Sequence, residues 1–176
     1  TGRNEGVRMN TAAAIEIAVA AVLRQFATLG EGVVVRPWQS LASDPTWKAS
    51  KDRSFPMVSV QCTAPATEDG NPAIQIATCR VICGTWNDDD QDHSQVRAMY
   101  EEAERVLMEL FGAFRTGNES AEVYAAFKTE LEANANATTF ADWALRWEGG
   151  DAPMSGDGAN FMGVSIVVHF RNPAFC

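Results

Sequence analysis

Two histidines, four cysteines and a run of aspartates are the residues of this 176-residue chain whose types could do chemistry. His93 follows Asp88, Asp89, Asp90 and Asp92, a grouping that could offer oxygen and nitrogen ligands to a divalent cation. The spacing is not that of an EF-hand loop, which needs Gly at its sixth position and Glu at its twelfth. A solvated turn opening a helix accounts for it more simply, because carboxylates are favoured at the positive helix end. His169 lies near the end of the chain, in a strand-like segment. A Ser–His–Asp unit would need a nucleophile on a sharp turn and an orienting group. Ser155 with Asp157 is the nearest pair, and no G-x-S-x-G elbow accompanies it. No glycine-rich loop is followed by Lys, so a phosphate-cradling loop is not expected. Gly149, Gly150, Gly156 and Gly158 read as loop flexibility. These residues predict no catalytic apparatus, no metal site and no cofactor.

Cys79 and Cys83 are four apart inside an apolar run, Cys62 lies upstream and Cys176 ends the chain. No histidine is near them, so buried free thiols in a reducing cytoplasm are expected. The five tryptophans divide into two groups. Trp143 and Trp147 are in phase with apolar neighbours and read as core. Trp38, Trp47 and Trp86 fall at strand ends or in loops, where a large aromatic anchors an oligomer or partner interface or else is buried under a loop.

A net charge of −9 with no basic stripe makes the chain a poor partner for duplex nucleic acid and for anionic membrane surfaces, so direct nucleic-acid reading is not expected. The most apolar stretch, 12–27, is interrupted by Glu16, Arg24 and Gln25, and falls short of the roughly 20 apolar residues that span a membrane. It also lacks the charged start and cleavage site of a signal peptide. The length suits one domain. A polar arm over 1–9 is expected to be loose, followed by a single α+β domain over 10–176.

The periodicities supply the frame that must position these residues. Asn10 or Thr11 can cap a helix whose face is Ile15, Val19, Val22, Leu23 and Phe26, with Gly30 and Gly32 ending it. Burying those five side chains is worth on the order of 10 kcal/mol before conformational entropy is charged. Val33, Val34 and Val35 predict a short strand closed by Pro37. The polar segment 39–54 is a long loop around Trp47. Strands follow at 57–62 and 73–86, joined by a Gly-, Asn-, Asp- and Pro-rich turn over 64–72 as an antiparallel hairpin, with the second strand central.

After the acidic turn 87–92, Val96, Met99, Tyr100, Ala103, Val106, Leu107, Leu110 and Phe111 mark one face of a long helix, and Glu101, Glu102, Glu104 and Arg105 the other. Asp92 or Ser94 caps it, and Gly112 or Gly117 ends it. A weaker helix is expected over 121–131, with Val123, Phe127 and Leu131. Strands at 140–148 and 161–170 close the chain, separated by a Gly- and Asp-rich connection or arm over 149–160. The order predicts an antiparallel sheet of about four to five strands with two main helices packed on one face.

In that order of elements the chain resembles the tail terminator and tail completion proteins of long-tailed bacteriophages. The matching stretches are 11–29, 57–86 with its polar hairpin loop, 94–111, and 143–147 followed by 161–170. The ending "FMGVSIVVHF" is similar to the usual last strand of that family. The resemblance implies a structural virion protein, not an enzyme. Such subunits form a homo-oligomeric ring, commonly of six, that caps the tail tube, ends tail growth and gives the neck or head a docking face. It further implies the tail tube protein and a neck/connector protein as partners, DNA only as passing cargo, and a place in the virion after assembly in the host cytoplasm. Asp88, Asp89, Asp90 and Asp92 would then face the channel, where negative charge keeps DNA from sticking. A head–tail connector subunit or a tail tube protein of the same virion is the alternative. A tube protein needs a long hairpin between rings, which 39–54 could supply if it were strand-like.

Overall fold

The computed structural model describes residues 11–37, 55–63, 66–134, 143–151, 153–156 and 158–171. Three helices and a seven-stranded, mostly antiparallel sheet make up an α+β fold. The elements run α1 (Thr11–Phe26), β1 (Val34–Pro37), β2 (Met57–Cys62), β3 (Ala66–Glu68), β4 (Asn71–Trp86), α2 (Ser94–Thr116), α3 (Glu122–Asn134), β5 (Trp143–Gly150), β6 (Met154–Gly156) and β7 (Ala159–Arg171). Five strands form the main path in the order β1-β2-β4-β7-β5, with β3 on β4 and β6 on β7. Among the described residues only β1 and β2 pair in parallel.

The spine is the pairing of β4 with β7, from Ile74 opposite Arg171 to Trp86 opposite Ala159. Alternation places Cys79, Val81 and Cys83 on one face of β4, and Val164, Ile166, Val168 and Phe170 on the same face of β7, all buried. Val58 and Val60 of β2 and Leu145 of β5 extend that surface sideways. Onto it α1 packs over β1 and β2, while α2 packs over β4, β7 and β5. On α2 the buried residues are Val96, Met99, Ala103, Val106, Leu107, Leu110 and Ala113, one continuous helical stripe.

Charged residues that interrupt the apolar run of α1 reach the margin of the sheet. Arg24 donates to the Val35 carbonyl from Nε at 3.0 Å and from a terminal nitrogen at 2.7 Å. The buried Glu16 carboxylate accepts the Cys62 N–H at 3.0 Å, just past Val60, where the pairing of β1 with β2 stops. At its other end α1 is held to α2: Arg105 donates to the Phe26 carbonyl at 3.0 Å, and Glu102 accepts the Thr28 N–H at 3.0 Å.

Several sequence expectations are refined. The stretch expected as one loop over 64–72 contains β3, because Asp69 and Gly70 both take positive φ (46° and 74°), the two-residue turn that Asp-Gly favours. β1 includes Pro37, which an edge strand tolerates. The 149–160 connection is partly strand, since β5 runs through Gly150 and β6 pairs with β7. Of the two glycines proposed to stop α2, Gly117 does so: it is left-handed (φ 68°), and its N–H meets the Ala113 and Phe114 carbonyls. The weak helix is a full third helix. α3 packs on α1 and α2 and reaches the sheet through Trp143, which meets Phe114, Tyr124 and Phe127 at ring distances of 5.7, 5.5 and 5.3 Å. The arm over 1–9, Asn10, the loop 39–54 and Cys176 lie outside the described residues.

Phe127 of α3 is fully buried and packs against Trp143. Phe127→Ala is expected to lower stability by about 3–5 kcal/mol, whereas Lys128→Ala, one residue along, stays within about 0.5 kcal/mol. Urea denaturation of the two variants checks this, and near-equal losses would contradict an integral α3.

Candidate functional site: the corner at the end of β4

Where β4 ends, aromatic and acidic side chains share one corner. Gly84 and Trp86 lie on the face of β4 turned away from the helices, as does Phe161 on β7. The Phe55 ring sits 5.9 Å from those of both Trp86 and Phe161, tilted at 44° and 57°. Gly84 makes room for this cluster, because a Cβ there would come within 2.9 Å of the Phe55 ring and 3.1 Å of the Phe161 ring. Gly158 (φ 82°) does the same for Trp86, whose ring would lie 2.9 Å from a Cβ at that position. The Asn87 N–H then bonds the Gly158 carbonyl at 2.7 Å, locking the turn onto β7.

A 3₁₀ turn, Asn87–Asp89, follows Trp86 directly. Asp88, Asp89 and Asp92 are exposed, so three solvent-facing carboxylates follow half-buried Trp86 within six residues of chain. Asp92 accepts from the Ser94 hydroxyl at 2.8 Å and the Ser94 N–H at 3.1 Å, which together hold its carboxyl below the usual range.

Asp90 departs from the expectation that all four aspartates form one exposed turn. Its side chain is 3% exposed and turned inward. One oxygen accepts the Gln95 N–H at 2.9 Å. The other accepts the Val96 N–H at 3.0 Å and the Thr85 hydroxyl at 2.7 Å. Its backbone carbonyl takes the side-chain amide of buried Asn160 at 3.0 Å, so one residue ties α2, β4 and β7 together. Asp90 thus does most of the capping expected of Asp92 or Ser94. The cause is geometric: His93 is left-handed (φ 60°), and the reversal aims the first N–H groups of α2 back at Asp90. Burial alone would raise this carboxyl, but the Gln95 and Val96 N–H groups and the Thr85 hydroxyl outweigh it and hold it low.

Other candidate residues are not brought together. His169 sits opposite Ile76, at the far end of β7 from Ser155, whose hydroxyl bonds Asn160 at 3.1 Å. Asp157, Trp38 and Trp47 lie outside the described residues. Cys79 and Cys83 are buried in β4, and burial pushes the Cys83 thiol up to about 12. Trp143 and Trp147 pack against the core. Among the described residues no group of three or more His, Cys, Asp or Glu is placed to hold a metal ion. Sequence reasoning missed Phe55 and Phe161, because strand register carries Phe161 to this corner and only tertiary packing brings Phe55 there. The buried role of Asp90 leaves no signal that separates it from the neighbouring aspartates.

A carboxyl held low in the folded state contributes stability that is complete above its unfolded pKa of about 4 and is lost as pH falls through the lower folded value. Asp90→Ala is therefore expected to cost about 2–4 kcal/mol at pH 7, and the gap to the parent should narrow below pH ~4. Urea unfolding from pH 3 to pH 7 measures both, and a gap independent of pH would contradict the assignment. Compared with protein-family models and with curated proteins, the chain matches none.

Proposed function

We propose that this chain is a structural subunit of a ring that caps the tail tube of a long-tailed bacteriophage. The ring ends tail growth and gives the neck or head a docking face. The observation that carries this is architectural. Both main helices cover one face of a mostly antiparallel sheet, in which β1 and β5 are the outermost strands among the described residues and the Trp86 corner lies on the opposite face. That arrangement supports the likeness of element order to tail terminator proteins. An outermost strand on each flank of the described sheet suits a head-to-tail contact that closes by rotation. Trp86 with Phe55 and Phe161 offers an apolar anchor for a neighbouring copy, the tube protein or the neck/connector protein. The exposed Asp88, Asp89 and Asp92 would line the channel, where like charge lets DNA pass as cargo. The site of action is then the virion.

Size-exclusion chromatography with light scattering and negative-stain imaging tests the proposal. The expected result is a closed ring, commonly of six copies, that binds the tube end. Sedimentable tubes would favour a tube protein of the same virion, and a ring that binds only the neck would favour a connector subunit. A chain that stays monomeric at high concentration and turns over a substrate would overturn the proposal. Asp88→Lys with Asp89→Lys is expected to leave the ring intact and make it retain duplex DNA at low salt, with retention falling steeply as salt rises. Retention unchanged from the parent would place the turn outside the channel.

A further inference from the structure

Strand register sets two cysteines face to face. Cys62 ends β2 directly opposite Cys79 in β4. The Thr63 N–H donates to the Thr78 carbonyl at 2.9 Å, so the adjacent pair, Cys62 and Cys79, is a non-hydrogen-bonded one. At such pairs the Cα atoms approach to roughly 4.5 Å and the side chains lie closest. That falls inside the range a disulfide needs. Both side chains point to the helix-covered face, Cys79 within the core and Cys62 packed against it. Glu16 holds the Cys62 backbone in place through its N–H. Cys83, four residues along β4, stands opposite Val58 and Met162 instead.

We propose that Cys62 and Cys79 form a reversible dithiol–disulfide site, closed by small-molecule disulfides, that staples β2 to β4. Exposure sets the order of events. Cys62 is half-buried and reachable, whereas Cys79 is fully buried. The Cys62 sulfur attacks one sulfur of the small disulfide, forming a mixed disulfide and expelling one thiol. The Cys79 sulfur then attacks the Cys62 sulfur and expels the second thiol. The two S–H protons end on the expelled thiols, so two protein thiols are oxidised and one small disulfide is reduced. The neighbouring Cys62 thiol, burial and the nearby Glu16 charge all hold the Cys79 thiol well above its ordinary value. The closing step is therefore slow, as suits a staple and not a turnover catalyst. The site is independent of the ring proposal and stands or falls separately.

Native full-length chain would be incubated with glutathione disulfide, acid-quenched, alkylated in denaturant and peptide-mapped. A Cys62–Cys79 linked peptide is expected, reversible by dithiothreitol, present in C83S and absent in C62S and C79S. Closing a loop with 16 residues between the two cysteines should also raise Tm by roughly 5–10 °C. If C79S fails to fold, C62S at the half-buried rim carries the comparison. Recovery of both residues as alkylated thiols, or of Cys62 as a stable glutathione adduct with Cys79 alkylated, would overturn the proposal.

Discussion

Everything in this fold hangs on one surface, the helix-covered face of the β4–β7 ladder. Strand alternation gathers Cys79, Val81, Cys83, Val164, Ile166 and Val168 into a buried strip. No single helix is broad enough to cover that strip together with its flanks on β2 and β5. The two amphipathic helices divide the task, α1 over β1 and β2 and α2 over β4, β7 and β5. Each helix needs the sheet as much as the sheet needs the helices, since an amphipathic helix gains most of its stability from packing. α3 then covers the seam between them and closes it with the Trp143 cluster.

Polar residues set where these layers sit. Apolar contact is non-directional and would tolerate sliding, whereas hydrogen bonds to particular backbone groups do not. Glu16 and Arg24 meet backbone groups of β2 and β1, so α1 has one position along that margin. Asp90 does the same for α2, joining the first turn of the helix to Thr85 and, through its carbonyl, to Asn160. The corner bearing Trp86, Phe55 and Phe161 inherits its rigidity from this anchor, because the turn that follows Trp86 is bound on both sides.

Much of the frame was legible in the residues. The spacing of Ile15, Val19, Val22 and Leu23 and that of Val96, Met99, Ala103 and Leu107 mark both main helices, and all eight are buried. The alternation of Val58 with Ser59, and of Val164 with Ser165, marks strands whose apolar side meets the helices. Less was legible at the corner and at the cysteines. Trp86 and the aspartates stand out by type, but Phe55 and Phe161 are ordinary apolar residues until tertiary packing brings them together. Cys83 is the cysteine nearest to Cys79 in sequence, yet the partner of Cys79 in space is Cys62.

By itself the sequence determined the kinds of elements, their order and which face of each is apolar. Those follow from periodicities of 3.6 and 2 residues and from short-range turn chemistry. Tertiary structure alone decided that β1 runs parallel to β2, that Asp90 turns inward while Asp88 and Asp89 stay in solvent, and that Cys62 faces Cys79. These depend on strand register and on which backbone groups would be left without partners. Both are set by residues far apart in the chain, and no local pattern encodes them.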